Sequence, residues 1–188
     1  MGFSRFLRLK NCTKTHYFFN KFSTIFEMFQ KNTMSDSISF SEVQKKLEYY
    51  CSYQERCHFE VEQKLYSFEL SAAERQQIIV HLIEHNYLNE ERFASIFTLS
   101  KLHQKKWGIV RIKNELKARK ISDYLITKSL NEISEEEYHK TFNTLAEKHW
   151  NTIMEHNTLK KRKKFCDYML RNGWESDLVY KKAKEFEG

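Results

Sequence analysis

Apolar residues recur with helical spacing along most of the chain. Three pairs, each separated by four positions, show this most clearly: Val61 and Leu65, Ile112 and Leu116, and Phe165 and Met169. Residues four apart lie on the same face of an α-helix, so each pair indicates a helix with one buried face. Between these segments, polar residues typical of helix ends divide the chain into short units.

Helix starts are predicted where Ser precedes Glu or Gln by three positions, because the two side chains can then satisfy free backbone amides reciprocally. The candidates are Ser41 with Gln44, Ser52 with Glu55, Ser71 with Glu74, and Ser134 with Glu137. Asn89 and Ser122 are further N-cap candidates, whereas Gly108 and Gly173 are predicted helix ends. These signals predict nine helices, at 41–51, 55–67, 72–86, 90–106, 109–119, 123–132, 135–155, 159–172 and 176–186.

The apolar pairs belong to an internal repeat. Corresponding positions are separated by 51 and then 53 residues, and each pair is followed five residues later by another apolar side chain: Leu70, Ile121 and Trp174. A period of this length is typical of tandem units that are too small to bury their apolar faces alone. We therefore predict an all-α fold, an elongated array of three tandem three-helix repeats. Their predicted bounds are 38–88, 89–133 and 134–188.

Composition supports this helical prediction. The 188 residues include no Pro and only four Gly, the two residue types that most disfavour helix interiors. No apolar run approaches the ~18 residues of a membrane span, so we expect no membrane association. The four cysteines, Cys12, Cys51, Cys57 and Cys166, form no C-x-x-C pair, and no secretory signal precedes them. We expect buried thiols in a reduced, cytoplasmic compartment.

The first 37 residues differ from the rest of the chain. Residues 1–34 carry six basic residues and one acidic residue, with several Phe and no clear helical pattern. Such a segment fits a targeting peptide, or an upstream extension of the reading frame with Met34 as the working start. We expect residues 1–37 to be poorly ordered in either case.

Basic residues concentrate in the second predicted repeat. Nine lie between Lys101 and Lys128, against only two acidic ones, and a second basic run lies in the third repeat. Segregated charge of this kind favours association with a polyanion. The candidate binding residues are Lys101, Lys105, Lys106, Arg111, Lys113, Lys117, Arg119, Lys120, Lys160, Lys161, Arg162, Lys163, Lys164 and Arg171. Nearby aromatic residues, Trp107, Tyr124, Trp150 and Trp174, either stack on bases or fill seams between helices.

Three blocks of sequence resemble the RecX regulatory protein family. They are Arg56 to Leu65, Tyr87 to Ala94, and Gly108 to Ile112 with Glu115, Leu116 and Ile121. The resemblance extends over about 40–187 and implies a fold of three tandem three-helix repeats. It also implies that the protein binds the RecA recombinase filament on single-stranded DNA and inhibits its ATPase and strand-exchange activities. The partners would be the RecA filament and single-stranded DNA, bound directly or through the filament. The protein would act as a monomer.

Two other interpretations remain. A helix-turn-helix transcription regulator would also be helical and basic, although the lysine-rich helices here suit positioning on a backbone rather than base readout. The segment His81 to His85 matches the H-x-x-E-H pattern of a zinc peptidase, but it falls on an apolar helix stripe. We find no phosphate-binding glycine loop and no convincing nucleophile with its partners. The sequence predicts a protein without catalytic residues, metal or cofactor.

Overall fold

The computed structural model describes residues 38–188, which form nine α-helices and no strand. The helices are α1 (Phe40–Tyr53), α2 (His58–Leu65), α3 (Ala72–Glu84), α4 (Glu90–Lys105), α5 (Ile109–Ala118), α6 (Asp123–Leu130), α7 (Glu135–Thr152), α8 (Thr158–Arg171) and α9 (Ser176–Glu185). The all-α prediction is confirmed. The expectations for residues 1–37, including Cys12, lie outside the described residues.

The helices pack as three consecutive triplets. In the first, α1 and α2 both contact α3; in the second, α4, α5 and α6 contact one another; in the third, α8 contacts α7 and α9. We call these triplets repeats 1, 2 and 3. Helix α4 also contacts α7, which links repeats 2 and 3. The predicted tandem arrangement of three-helix repeats is therefore observed.

Two hydrophobic cores lie within these repeats. Repeat 1 has its own core, formed by buried side chains of its three helices such as Leu47, Leu65 and Leu82. Repeats 2 and 3 share one core, which runs from Phe93 to Ala183 and also includes Cys57 at the start of α2. Burial of these apolar faces is the main favourable contribution to folding, and it joins repeats 2 and 3 more closely than either joins repeat 1.

Helix starts agree with the prediction at four of six sites. Side chains of Ser71, Asn89, Ser122 and Ser134 each accept a hydrogen bond from a backbone amide three residues later. The predicted caps at Ser41 and Ser52 are wrong. Helix α1 is capped by Ser39 with Glu42, whose carboxylate accepts from the Ser39 amide at 3.0 Å.

The two wrong caps have a common physical reason. Ser52 lies inside α1, where its hydroxyl donates to the Glu48 carbonyl at 2.8 Å instead of opening a new helix. Helix α2 then begins after Cys57, which makes no side-chain cap. Gln44, the proposed partner of Ser41, bonds instead to side chains of α1 and α3. In both cases another hydrogen-bond partner, the carbonyl one turn earlier for Ser52 and side chains of α1 and α3 for Gln44, replaced the pairing that the spacing suggested.

The apolar residue five positions after each pair marks a turn that ends the middle helix of a repeat. After α5, Lys120 adopts a left-handed conformation (φ 59°) and the Ile121 amide donates to the Leu116 carbonyl at 3.2 Å. After α8, Gly173 (φ 84°) takes the same role and Trp174 bonds to Met169 at 3.3 Å. This is the Schellman motif, in which the two bonded residues also pack their apolar side chains together. Repeat 1 lacks it after α2, and Leu70 is only partly buried.

Gly108 does not end α4, as the sequence suggested; it precedes the first residue of α5. Helix α4 ends instead at Lys106, which is left-handed (φ 55°). A glycine is required at 108 because a Cβ there would lie 2.2 Å from the carbonyl oxygen of Gly173. Close backbone approach between repeats 2 and 3, rather than helix termination, therefore explains this residue.

Candidate functional site

Repeats 2 and 3 meet where the N-terminus of α5 contacts the C-terminal turn of α8. The Gly108 amide donates to the Asn172 carbonyl at 2.9 Å, and the Val110 amide donates to the Gly173 carbonyl at 3.1 Å. Between them, the Ile109 amide donates to the Tyr138 hydroxyl at 3.1 Å. The first amides of a helix have no partner within it, so repeat 3 satisfies the amides that begin α5.

Tyr138 holds this junction from α7. Its hydroxyl accepts from Ile109 and donates to a carboxylate oxygen of Glu175 at 2.6 Å. Its ring packs against Trp174, a core residue that is 1% exposed. Burial, and then the hydrogen bond to Glu175, raise the pKa of Tyr138 far above its usual range, so the hydroxyl stays protonated and remains a donor.

Replacing this tyrosine should weaken the junction. In Tyr138→Phe the Ile109 amide loses its acceptor and Glu175 loses its donor, so we expect the free energy of unfolding to fall by about 1–3 kcal/mol. Urea denaturation followed by circular dichroism measures this change. Tyr124→Phe is the matched control, because Tyr124 is 71% exposed. Equal stability of the two variants would contradict the proposed role of the hydroxyl.

Repeats 1 and 2 meet through side chains of the corresponding helices. Arg119, at the end of α5, lies 3.4 Å from Glu60 of α2 and 2.8 Å from Glu115. The ammonium of Lys120 lies above the Phe59 ring, 5.2 Å from its centroid. A further ion pair joins Glu55 to Arg92 at 2.7 Å. Cys57 of the first family-like block and Phe93 of the second belong to the same hydrophobic core, so these two blocks come together at this junction.

Several predicted binding residues are engaged in contacts within the protein. Lys117 pairs with Asp123 at 2.9 Å, Arg162 with Glu187 at 3.2 Å, and Lys164 with Glu155 at 2.9 Å. The hydrogen bonds from Lys117 and Lys164 lower the pKa of Asp123 and of Glu155. Lys101 and Lys161 lie over the rings of Trp107 and Trp150, at 5.6 Å and 4.6 Å. With Arg119 and Lys120, these residues are less available to a partner than their sequence suggested.

Other predicted residues are open to solvent. Five are exposed and have no acidic side chain within ion-pair distance among residues 38–188: Lys105, Lys113, Lys160, Lys163 and Arg171. Lys106 is partly buried at the left-handed position that ends α4. We call the five exposed residues, without Lys106, the open cations. They lie at the end of α4 and on the solvent-facing sides of α5 and α8.

A cleft of about 270 Å³ separates α5 from α8. Its lining includes Arg111 and Asn114 of α5, with Leu170 and Arg171 of α8. The guanidinium of Arg111 lies over the Trp107 ring, 4.0 Å from its centroid, and also donates to the Arg171 carbonyl at 3.4 Å. The structure thus brings together two predicted basic residues that are 60 positions apart in the chain.

The same cleft reveals residues that the sequence analysis missed. Asn114 lines it three positions after Arg111, a spacing that places both on one side of α5. Glu60 and Glu115 were not recognised as partners of Arg119. Helical spacing could have indicated Asn114 and Glu115, but no local signal connects Glu60 with a residue 59 positions away.

The sequence suggested that four aromatic residues either stack on bases or fill seams between helices, and the structure separates them. Trp174 is buried in the core, and Trp150 stacks on Phe186 with ring centroids 4.9 Å apart. Trp107 is partly buried beside its two cations. Tyr124 is exposed and fills no seam. Three of the four therefore contribute to packing.

The histidine pattern of α3 has a structural explanation. His81 Nε2 lies 2.7 Å from Glu48 of α1, and this contact ties α1 to α3. The hydrogen bond from His81 lowers the pKa of Glu48. Within residues 38–188, no group of three or more His, Cys, Asp or Glu side chains is arranged to hold a metal ion.

Three cysteines are buried thiols, as the sequence predicted: Cys51, Cys57 and Cys166. Burial raises the pKa of Cys51 to about 11 and also raises the pKa of the other two. A thiol reacts as its thiolate. In a Cys12→Ser background, we therefore expect Ellman's reagent at pH 8 to label native protein slowly and urea-unfolded protein at once.

An exposed thiol supplies the control for this labelling. Ser52 is exposed on α1, so Ser52→Cys in the same background should add one rapidly reacting thiol to the native protein. If the three buried cysteines reacted as quickly as this added one, their burial would be contradicted.

The fold and the basic surface define a class, the all-α proteins built from tandem three-helix repeats. Within this class, residues 89–130 match the family described as RecX, second three-helix domain. The regulatory protein RecX of Bacillus thuringiensis (strain Al Hakam) is 28% identical over 130 residues, which are 69% of this chain and 48% of the relative. The chain thus spans about half the length of the curated relatives it matches.

Solved structures show the same relationship. The crystal structure of RecX from Lactobacillus salivarius has a TM-score of 0.67 and 25% identity, covering 79% of this chain and 96% of that one. A crystal structure of regulatory protein RecX has the same fold, with a TM-score of 0.66, 19% identity, and coverage of 77% and 74%. The resemblance to the RecX family predicted from the sequence is confirmed. No helix among residues 38–188 is long and apolar enough to cross a membrane.

Proposed function

We propose that this protein binds the RecA filament on single-stranded DNA and inhibits its ATPase and strand-exchange activities, and thereby modulates recombination and repair. The curated relatives are named regulatory proteins, and the proposal extends that role to this chain. The main observation in support of this proposed function is the set of open cations on α4, α5 and α8. None of them forms an ion pair with an acidic side chain among residues 38–188, so their charge can act on a polyanionic filament.

The arrangement in repeats supports this proposal. A recombinase filament presents the same protein surface at each protomer along a polyanionic strand. Open cations in both repeat 2 and repeat 3 can contact such a repeating surface at more than one point. Lysine contacts with phosphates are independent of sequence and weaken as salt concentration rises, which suits a partner assembled on DNA of any sequence.

An ATPase assay tests the proposed function directly. RecA is assembled on single-stranded DNA with ATP, and this protein is added below the concentration of RecA. We expect ATP hydrolysis to fall, and the effect to diminish as salt is raised. Undiminished hydrolysis, together with failure of the protein to cosediment with filaments, would reject the proposal. The protein is proposed to act as a cytoplasmic monomer, and sedimentation in the same buffer checks its oligomeric state.

A further inference from the structure

The two junctions between repeats use the same positions but different charges. Residues that correspond in the repeat are 51 apart between repeats 1 and 2, and 53 apart between repeats 2 and 3. Glu60 of α2 therefore corresponds to Arg111 of α5, and Arg119 at the end of α5 corresponds to Asn172 at the end of α8.

At the first junction these positions form an ion pair. Glu60 lies 3.4 Å from Arg119, so the carboxylate of repeat 1 neutralises the guanidinium of repeat 2. At the second junction the corresponding position carries Arg111, and the chain beside it carries Asn172 and the exposed Arg171. The second junction thus has a cationic cleft at the place where the first junction holds a carboxylate.

The Arg111 side chain is held in one orientation. One face of the guanidinium lies against Trp107, and one nitrogen donates at 3.4 Å to a backbone carbonyl, a long hydrogen bond. A guanidinium has five N–H donors in a planar fork. The remaining donors can bind a carboxylate in bidentate fashion, and stacking on Trp107 reduces the conformational entropy lost when they do.

The other residues that line the cleft leave the remaining N–H donors of Arg111 free to bind a ligand. Glu115, the acidic residue of the lining, is bound by Arg119 at 2.8 Å. Asn114 adds a side-chain amide, and Arg171 adds positive charge. The cleft of about 270 Å³ has room for the end of an acidic side chain.

We propose that the cleft between α5 and α8 binds an Asp or Glu side chain of a partner protein, through the guanidinium of Arg111. At the first junction the guanidinium of Arg119 is paired with a carboxylate, whereas Arg111 at the second junction has no acidic side chain within ion-pair distance among residues 38–188. A carboxylate supplied by a partner protein would form at the second junction the kind of pair that the first junction already contains. The inference rests on the proposed function only for the identity of the partner, which would be the recombinase. The binding chemistry itself is independent of that identity.

A titration with a hexaglutamate peptide tests the binding chemistry. NMR spectra of the ¹⁵N-labelled full-length protein report the indole of Trp107 and the amides of α5 and α8. We expect hexaglutamate to shift the indole resonance of Trp107, which lies against Arg111, in the wild type, and an equal concentration of a thymidine oligonucleotide to leave that indole resonance in place. In Arg111→Gln the affinity for the peptide should fall by about ten- to a hundredfold, since a charged hydrogen bond contributes about 1.5–3 kcal/mol.

Two further variants make the result specific. Arg111→Lys keeps the positive charge but loses the planar arrangement of N–H donors that binds a carboxylate through two hydrogen bonds. Its affinity for hexaglutamate should therefore lie between those of the wild type and Arg111→Gln. Lys140→Gln removes one exposed charge from α7 and should leave the shifts unchanged. The inference is overturned if hexaglutamate shifts nothing in the cleft, if Arg111→Gln shifts as the wild type does, or if the oligonucleotide produces the shifts instead.

Filament binding separates this inference from the proposed function. Wild-type protein and Arg111→Gln are cosedimented with RecA filaments and, separately, with the same single-stranded DNA alone. A selective loss of filament binding in the variant supports an acidic contact on RecA. If the wild type does not bind filaments, the proposed function fails, while the peptide titration still decides whether the cleft binds a carboxylate.

Discussion

Gly108→Ala is expected to destabilise the protein by about 3 kcal/mol, a large effect for the addition of one methyl group. The added Cβ would lie 2.2 Å from the carbonyl oxygen of Gly173 and 2.6 Å from the Cα of Trp174. Both neighbours are backbone atoms, so no side-chain rotation relieves the overlap. The junction must open, and the hydrogen bonds that Gly108 and Val110 donate across it must lengthen.

Urea denaturation measures this loss, and another glycine supplies the control. Gly188 ends the chain and has no atom within 4 Å of the position of a Cβ. Gly188→Ala should therefore cost only the strain of an alanine at a left-handed backbone position (φ 86°), about 1 kcal/mol, which is well below the loss expected at Gly108. If Gly108→Ala unfolded at the same urea concentration as Gly188→Ala, the close contact between repeats 2 and 3 would be wrong.

Reversing charge on the open cations should produce the largest functional effect. The variant carries four substitutions: Lys105→Glu, Lys113→Glu, Lys160→Glu and Lys163→Glu. At about 0.7 kcal/mol for each exposed ion pair, loss of four contacts weakens filament binding by about a hundredfold. Inhibition of the RecA ATPase should then require correspondingly more protein. Helicity should be unchanged, because these exposed side chains form no ion pair within the described chain.

A second variant with the same net charge makes this result interpretable. It reverses four exposed lysines elsewhere: Lys45, Lys46, Lys140 and Lys181. If binding depended on total charge, both variants would lose affinity equally, and the proposed surface would be rejected. If it depends on position, only the first variant should lose inhibition.

Much of the fold could be predicted because its determinants are local. Helical spacing and Ser or Asn caps located the nine helices within a few residues, and the apolar pairs revealed the repeat. The sequence also shows an apolar residue five positions after each pair, and the Schellman turns at Lys120 and Gly173 explain this residue in two of the three repeats. Repeat 1 departs from this pattern where its chain has additional residues before α3.

The candidate surface was less predictable because charge pairing depends on contacts between distant residues. Arg119 and Glu60 lie 59 positions apart in sequence, and Arg162 and Glu187 lie 25 apart. No local pattern distinguishes these engaged cations from open ones such as Lys113. Gly108 was interpreted from its sequence position alone, whereas its role comes from a neighbour in the next repeat.

The difference between the two junctions has a consequence for their dependence on salt. The junction between repeats 2 and 3 is joined by backbone hydrogen bonds and a shared core, both of which are insensitive to ionic strength. The junction between repeats 1 and 2 relies in part on ion pairs at Arg92 and Arg119, which salt screens. The charged contacts at Arg92 and Arg119 are therefore the part of the array that a rise in salt concentration weakens, whereas the hydrogen bonds between repeats 2 and 3 are unaffected.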